Sequence, residues 1–263
     1  MLKRELKVNF KSFILWEIIL TGMFLVVYLI YPFMMTDEAI KELDNAMKTF
    51  SPELLKAFNM DMTSITTAYG WVKSEGFMYV LLFVGIYASI LGSSLLLKEE
   101  DNMTIEYLNS LPIKRSDIVT NKVITGIIYI LLMVIILGIF NYIALLISGD
   151  FDHKQFILLS ITPIFIGLPL FGINLFISTL LRKKKSAIGI SLGLVFIFYL
   201  LNVLSELSDK VEFLKYFSIY TLADTRNVLI DLKINPMMII ISLVITCIFI
   251  GLSYIKYQNK ELV

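Results

Sequence analysis

The chain has 263 residues, is 57% hydrophobic with a mean hydropathy of +0.80, and carries charge on only 17% of its positions. A soluble domain keeps about a quarter of its residues charged, so this composition excludes one and marks a polytopic membrane protein. One cysteine, Cys247, excludes an intrachain disulfide and a cysteine metal site; the one histidine, His153, falls in a short loop and leaves no Ser/His/Asp or Cys/His arrangement in the membrane, while a net charge of +1 singles out no partner.

In chain order, residues 1–12 come first. Leu2, Leu6, Phe10 and Phe13 recur at helical spacing, with Lys3, Arg4, Lys7 and Lys11 on other faces. That pattern predicts an amphipathic helix on the inner membrane surface; a plain positively charged anchor is the alternative. Residues 13–35 form the first apolar run. It is too long for a typical signal peptide and ends without a small-residue cleavage site, so it reads as a retained helix. Glu17 is the one charge inside any run, and this boundary puts it about one turn from the inner end.

Five further runs follow at 77–97, 123–148, 156–181, 186–205 and 236–255. Each approaches the roughly 20 apolar residues that a helix needs to cross the hydrocarbon. Pro163 and Pro169 predict kinks in the fourth. Gly189 and Gly193 form a GxxxG in the fifth, and Gly85, Ser89 and Ser93 form a small-residue row in the second; both suit close helix approach. Asn141, Asn174 and Asn202 are the notable uncharged polar residues within the runs. They are candidates for a substrate path, and interhelical hydrogen bonding is the other role open to them. Between the runs, residues 36–76 are acidic on balance and include a helical stretch near 37–50. Residues 206–235 mix apolar and polar positions and read as interfacial or re-entrant helices packed on the outer half of the bundle; an ordinary loop is the alternative.

Lys and Arg set the orientation. With the N-terminus inside, the inner segments 1–12, 98–122, 182–185 and 256–263 hold 14 Lys/Arg in 49 residues, against 9 in 78 residues outside. Both termini are therefore expected in the cytoplasm. Several functions lack their residues. With Glu17 near one end, no ionisable residue is expected near mid-membrane, which argues against a proton-coupled pump. No Gly-Lys pair occurs, so there is no phosphate-binding P-loop, and any ATPase must be another polypeptide. Glu99-Glu100 starts like the EExxxR of intramembrane proteases, yet Thr104 stands where the arginine belongs and later helices hold no histidine.

The densest mixture of charge lies at 97–122. Thr104 to Ser110 can form a short helix with Ile105, Leu108 and Leu111 on one face. Pro112 stops it, and Ser116 or Asp117 can cap the next helix, which runs through Lys122 into the third span. Hung on two membrane helices and free of glycine, this knuckle suits force transmission.

This stretch resembles the ABC-2 type permease family, membrane subunits of ABC exporters. Members show an acidic start, a T-x-E-x-L-x-S-x-P-x-x-R core and a lysine leading into the third helix. Here these read Lys98-Glu99-Glu100, then Thr104, Glu106, Leu108, Ser110, Pro112 and Arg115, then Lys122. Asn102-Met103 departs from an Arg-Gly common in the family, which should stiffen the approach.

The resemblance implies an all-α polytopic membrane protein, one permease domain over 1–263, with six transmembrane helices and a cytoplasmic coupling helix between the second and third. It implies no catalysis and no bound cofactor or metal in this chain, with ATP and Mg held by two copies of a separate ABC ATPase. It also implies a second permease subunit, identical or similar, in a plasma membrane bilayer, with no nucleic acid partner. Leu108 and Leu111 would anchor the coupling element on the ATPase. Glu99, Glu100, Thr104, Glu106, Pro112 and Arg115 would shape it, the charges contacting the ATPase or holding the element against the inner-surface helix. A non-transporting sensor or scaffold driven by the same ATPase motion is the alternative. An apolar path with scattered Asn, Ser and Thr suits a lipid, an amphipathic peptide or a hydrophobic drug.

Overall fold

The computed structural model describes residues 1–50, 67–105, 112–149, 151–207, 209–223 and 225–260. Among these residues there is helix and no strand, and six helices are long and apolar enough to cross a membrane. The expected all-α, six-span architecture is what the chain adopts.

The first span, α1, is one continuous helix, Leu2–Met34. The sequence reading divides this stretch into an inner-surface helix over 1–12 and a span; the structure makes no break between them. Leu2, Leu6 and Phe10 lie on the same helix as Phe13, and the buried stripe Phe13, Glu17, Leu20 and Phe24 continues upward from Glu5. Glu17 lies 15 residues from the start of this helix, about 22 Å along its axis.

Next come α2 (Asp37–Met47) and α3 (Ala68–Trp71), the latter leading through a π turn at Val72–Gly76 into the second span, α4 (Phe77–Leu95). A single helical turn, α5 (Lys98–Asp101), follows, and then the third span, α6 (Arg115–Ser148). The fourth span is broken into α7 (His153–Ile161) and α8 (Ile164–Leu180). The fifth is α9 (Lys184–Leu207); two 3-10 segments, Asp209–Phe217 and Ile219–Ala223, and the short α10 (Thr225–Asp231) lead to the sixth, α11 (Pro236–Gln258).

The second and fourth spans form the centre. α8 packs along both α4 and α11, α9 packs on α4, and α1 lies mainly along α6 with only a sparse seam to α4. The close approach of α4 and α8 needs Gly92, where an added Cβ would meet the Phe171 carbonyl oxygen at 2.5 Å. Ser89 and Ser93 of the same small-residue row are fully buried. A Cβ at Gly189 or Gly193 would meet nothing, so the GxxxG of α9 makes no close packing within this chain.

The two prolines act differently. Pro163 breaks the fourth span, and the Leu159 carbonyl left there accepts hydrogen bonds from the Thr162 backbone N–H at 3.0 Å and its hydroxyl at 2.9 Å. Pro169 stays inside α8 and frees the Phe165 carbonyl, which accepts from the Ser242 hydroxyl of α11 at 2.9 Å. Without water in the bilayer core, such replacement partners are what make a proline tolerable there.

Residues 219–223 and Val228 plug into the bundle. Ile219, Tyr220, Leu222, Ala223 and Val228 are buried with Leu81, Leu170 and Val195. Tyr220 reaches so deep that a Cβ on Gly85, the ninth residue of α4, would lie 2.4 Å from its hydroxyl.

Candidate functional site: the charged end of the bundle

The C-termini of the second, fourth and sixth spans meet at one end, and a helix C-terminus leaves carbonyls without intrahelical partners. Each of these three ends is closed by a cation from a distant element. Lys122 of α6 donates to the Leu95 carbonyl at the end of α4, at 2.5 Å. Lys260, just beyond α11, donates to the Leu181 carbonyl after α8 at 2.7 Å and to that of Ser178 at 3.5 Å. Arg115, the first residue of α6, donates to the carbonyls of Gln258 and Lys260 at 2.9 and 2.8 Å. Positive charge at a helix C-terminus also complements the macrodipole. At the opposite end, Thr67, Asp152 and Asn235 cap the N-termini of α3, α7 and α11 with side-chain oxygens.

Two of the cations are neutralised by the adjacent carboxylates of α5. Lys122 contacts both carboxylate oxygens of Glu99, at 2.7 and 2.9 Å, and lies 3.6 Å from Glu5 of α1. Lys260 pairs with Glu100 at 2.8 Å, across 160 residues of sequence. Lys122 is fully buried, and Glu5, Glu99, Glu100 and Lys260 are each under 10% exposed. Removing one partner of such a buried pair costs about 3–5 kcal/mol. Exposed pairs such as Lys48–Asp44 and Lys215–Glu212 contribute about 0–1 kcal/mol. The buried pairs therefore decide the geometry of this end.

Lys98 at the start of α5 is half-buried, and burial lowers its ammonium below the usual lysine range against the opposing pull of Glu5 and Glu99. Its Nζ lies 3.4 Å from Asn9 Oδ1, and Tyr129 of α6 donates to the Leu6 carbonyl, so α1 is attached to α5 and α6 over several turns.

α5 ends in a Schellman turn. The Met103 N–H donates to Glu100 O at 3.2 Å and the Thr104 N–H to Glu99 O at 2.9 Å, which places Met103 in the left-handed region at φ 53°. This is the position where the resemblance to the permease family leads one to expect glycine. Met103 is 87% exposed, so its side chain adds strain without packing. Ile105, two residues on, is buried in the main core.

Of the sequence-predicted site residues, Glu99, Glu100, Thr104 and Arg115 come together at this end. Glu106, Leu108 and Leu111 lie outside the described residues. Pro112 is exposed in a bend just before α6. α6 begins at Arg115 with Lys114 as its N-cap residue and no side-chain cap, so neither Ser116 nor Asp117 caps it as the sequence predicts; Asp117 instead sits in the first turn, where it favours the helix dipole. Glu5 and Lys260 escaped sequence reasoning. Nothing local marks Lys260, whereas Glu5 stands alone among the basic residues of 1–12, a signal in the sequence itself.

The three asparagines are not brought together. Asn141 accepts from the Tyr28 hydroxyl at 2.9 Å and joins α1 to α6. Asn174 donates to the Ser89 hydroxyl at 3.0 Å and joins α8 to α4. Asn202 accepts from the Thr221 hydroxyl at 3.2 Å and ties α9 to the plug. Each sits on a different seam as an interhelical link.

Six spans with cation-closed helix ends at one face define a multi-pass helical membrane protein. A family model described as ABC-2 family transporter protein matches residues 15–262. The chain belongs to that family and is the membrane subunit of an ABC transporter, a system that works with an ATPase partner. No curated protein matches the chain.

Proposed function

We propose that this subunit is driven by separate ATPase chains that push on the segment between α5 and α6, and that it exports a hydrophobic or amphipathic substrate. Glu106, Leu108, Leu111 and Pro112 contact the ATPase, with the two leucines as apolar anchors, since buried apolar residues dominate such interfaces. The charged end faces the cytoplasm of the cell membrane, both termini with it. Two permease subunits, identical or similar, assemble with two ATPases that hold ATP and Mg.

The observation that supports this reading is the foot of the segment. Glu99 and Glu100 on one side, and Arg115 and Lys122 on the other, are fixed through buried pairs and carbonyl bonds to all the spans except the fifth. A displacement of the segment must move those five helices or break a buried pair. A flexible linker would transmit nothing.

Co-purification of the permease with its ATPase tests the reading. Leu108→Asp combined with Leu111→Asp is expected to abolish association and the permease-dependent change in ATP hydrolysis. Unchanged association and hydrolysis would show that the segment is not the contact. A complex that holds the ATPase and moves no labelled lipid, peptide or hydrophobic drug in vesicles would be a sensor or scaffold instead.

A further inference from the structure

Glu17 is unlike the other buried charges. It lies on the stripe of α1 that faces the core, between Phe13 and Leu20, and is 5% exposed. Neither of its carboxylate oxygens has a hydrogen-bond partner, and no cation pairs with it among the described residues. It is 12 residues above Glu5, about 18 Å along the helix. At that distance the Lys122 charge acts on it with only about 1 kcal/mol, even at an effective dielectric of 20. The charged end cannot compensate it.

Its surroundings are aromatic. The Trp16 ring lies edge-on to Tyr87 of α4 with centroids 6.0 Å apart, and Phe13 lies 4.9 Å from Tyr129 and 6.5 Å from Tyr87. The Tyr87 hydroxyl is buried and also lacks a partner. Tyr87 is the eleventh of the 19 residues of α4, which puts this group near the middle of the second span.

An ionisable residue inside a membrane span is costly unless it is neutral or paired, and it marks a ligand path by default. We propose that Glu17 and Tyr87 form an occluded site for a lipophilic organic cation, an ammonium or phosphonium on an apolar body. The carboxylate supplies the counter-charge, and the faces of Phe13, Trp16 and Tyr129 receive the diffuse positive charge and its hydrocarbon. A metal ion fits poorly. Calcium takes six to eight oxygens and magnesium six, while no group of three or more His, Cys, Asp or Glu occurs among the described residues that could hold one. α1 meets α4 through long side chains such as Phe13 and Trp16 against Tyr87 rather than by close backbone approach, so rotamer changes there open a route to Glu17 without disturbing the tight α4–α8 crossing.

This inference takes its purpose from the export reading and names the substrate class, but its test needs neither ATP nor the ATPase. The full chain in phosphatidylcholine nanodiscs is titrated with tetraphenylphosphonium and, separately, with neutral triphenylphosphine oxide. Binding is read from Trp16 fluorescence in a Trp71→Phe background. The cation is expected to bind tighter than the neutral compound. Glu17→Gln should weaken it by about tenfold or more and leave the neutral compound unaffected. Glu17→Asp, which keeps the charge, should retain most of the cation preference, and Tyr87→Phe should cost less than Glu17→Gln. Equal binding of both compounds to the wild type would make Glu17 a neutral buried acid and overturn the proposal, even if no Gln variant folds. So would Glu17→Gln binding the cation as the wild type does. Loss of transport with cation binding intact would instead count against the export reading alone.

Discussion

Two regions of one helix handle buried charge in opposite ways. At its foot, Glu5 joins Lys122 and Glu99 in a cluster whose members each lie within 4 Å of an opposite charge. Twelve residues higher, Glu17 is equally buried and has no partner among the described residues. The first arrangement fixes structure, because every charge there depends on another element staying in place. The second fixes nothing, because a carboxylate that pairs with none of the described residues holds no other element in place. One helix thus carries a carboxylate fixed by partners on other elements and, above it, a buried carboxylate that no described residue pairs.

The sharpest way to break this comparison is Lys122→Met. It leaves Glu99 and Glu5 buried without a cation and is expected to cost about 3–5 kcal/mol, read from thermal unfolding in detergent. A loss below about 1 kcal/mol would mean that water compensates the cluster and that it is no structural handle.

Ser242→Ala extends the contrast to uncharged groups. It removes the donor that serves the Phe165 carbonyl freed by Pro169. The expected loss is about 1 kcal/mol. No change in unfolding temperature would show that the carbonyl finds another partner.

Met103→Gly sharpens the picture of the handle itself. With φ at 53° and its side chain exposed, Met103 carries left-handed strain that glycine lacks. Glycine's greater freedom in the unfolded chain offsets part of the gain, leaving about 0.5–1 kcal/mol of stabilisation. A destabilised glycine variant would indicate that the methionine side chain packs on something important to the fold.

Glu17→Gln should have the smallest effect, within about 1 kcal/mol of wild type in the absence of ligand. A penalty as large as that of Lys122→Met would reveal a counter-charge at Glu17 and erase the difference between the two regions.

The six spans were legible because membrane crossing is written in long apolar runs, and the charged stretch between the second and third stood out against them. The continuity of α1 was not legible. The lysines of residues 1–12 suggest a surface helix followed by a span, whereas one unbroken helix carries both, and the contact that sets Trp16 beside Tyr87 is tertiary. The pairing of Glu100 with Lys260 was out of reach, since 160 residues separate the partners and only the convergence of the second and sixth spans at this end joins them. The plug formed by residues 219–223 and Val228 was half legible. Its apolar pattern predicted packing on the bundle, but the depth reached by Tyr220 depends on Gly85 being bare at the right height.

The central claim is that the buried cluster carries motion from the ATPase contact into the spans. Its most direct test replaces the cluster with apolar and neutral groups of similar size, Glu5→Gln, Glu99→Met and Lys122→Met together, a type of exchange that can leave a protein folded. Spin labels at the exposed positions Ile18 on α1 and Ile240 on α11 then report their separation before and after ATP is added to the permease–ATPase complex. In the wild type ATP should shift that distance; in the triple variant the ATPase should remain bound and the distance should stay where it was. An ATP-driven shift as large as the wild type's in the triple variant would contradict the account.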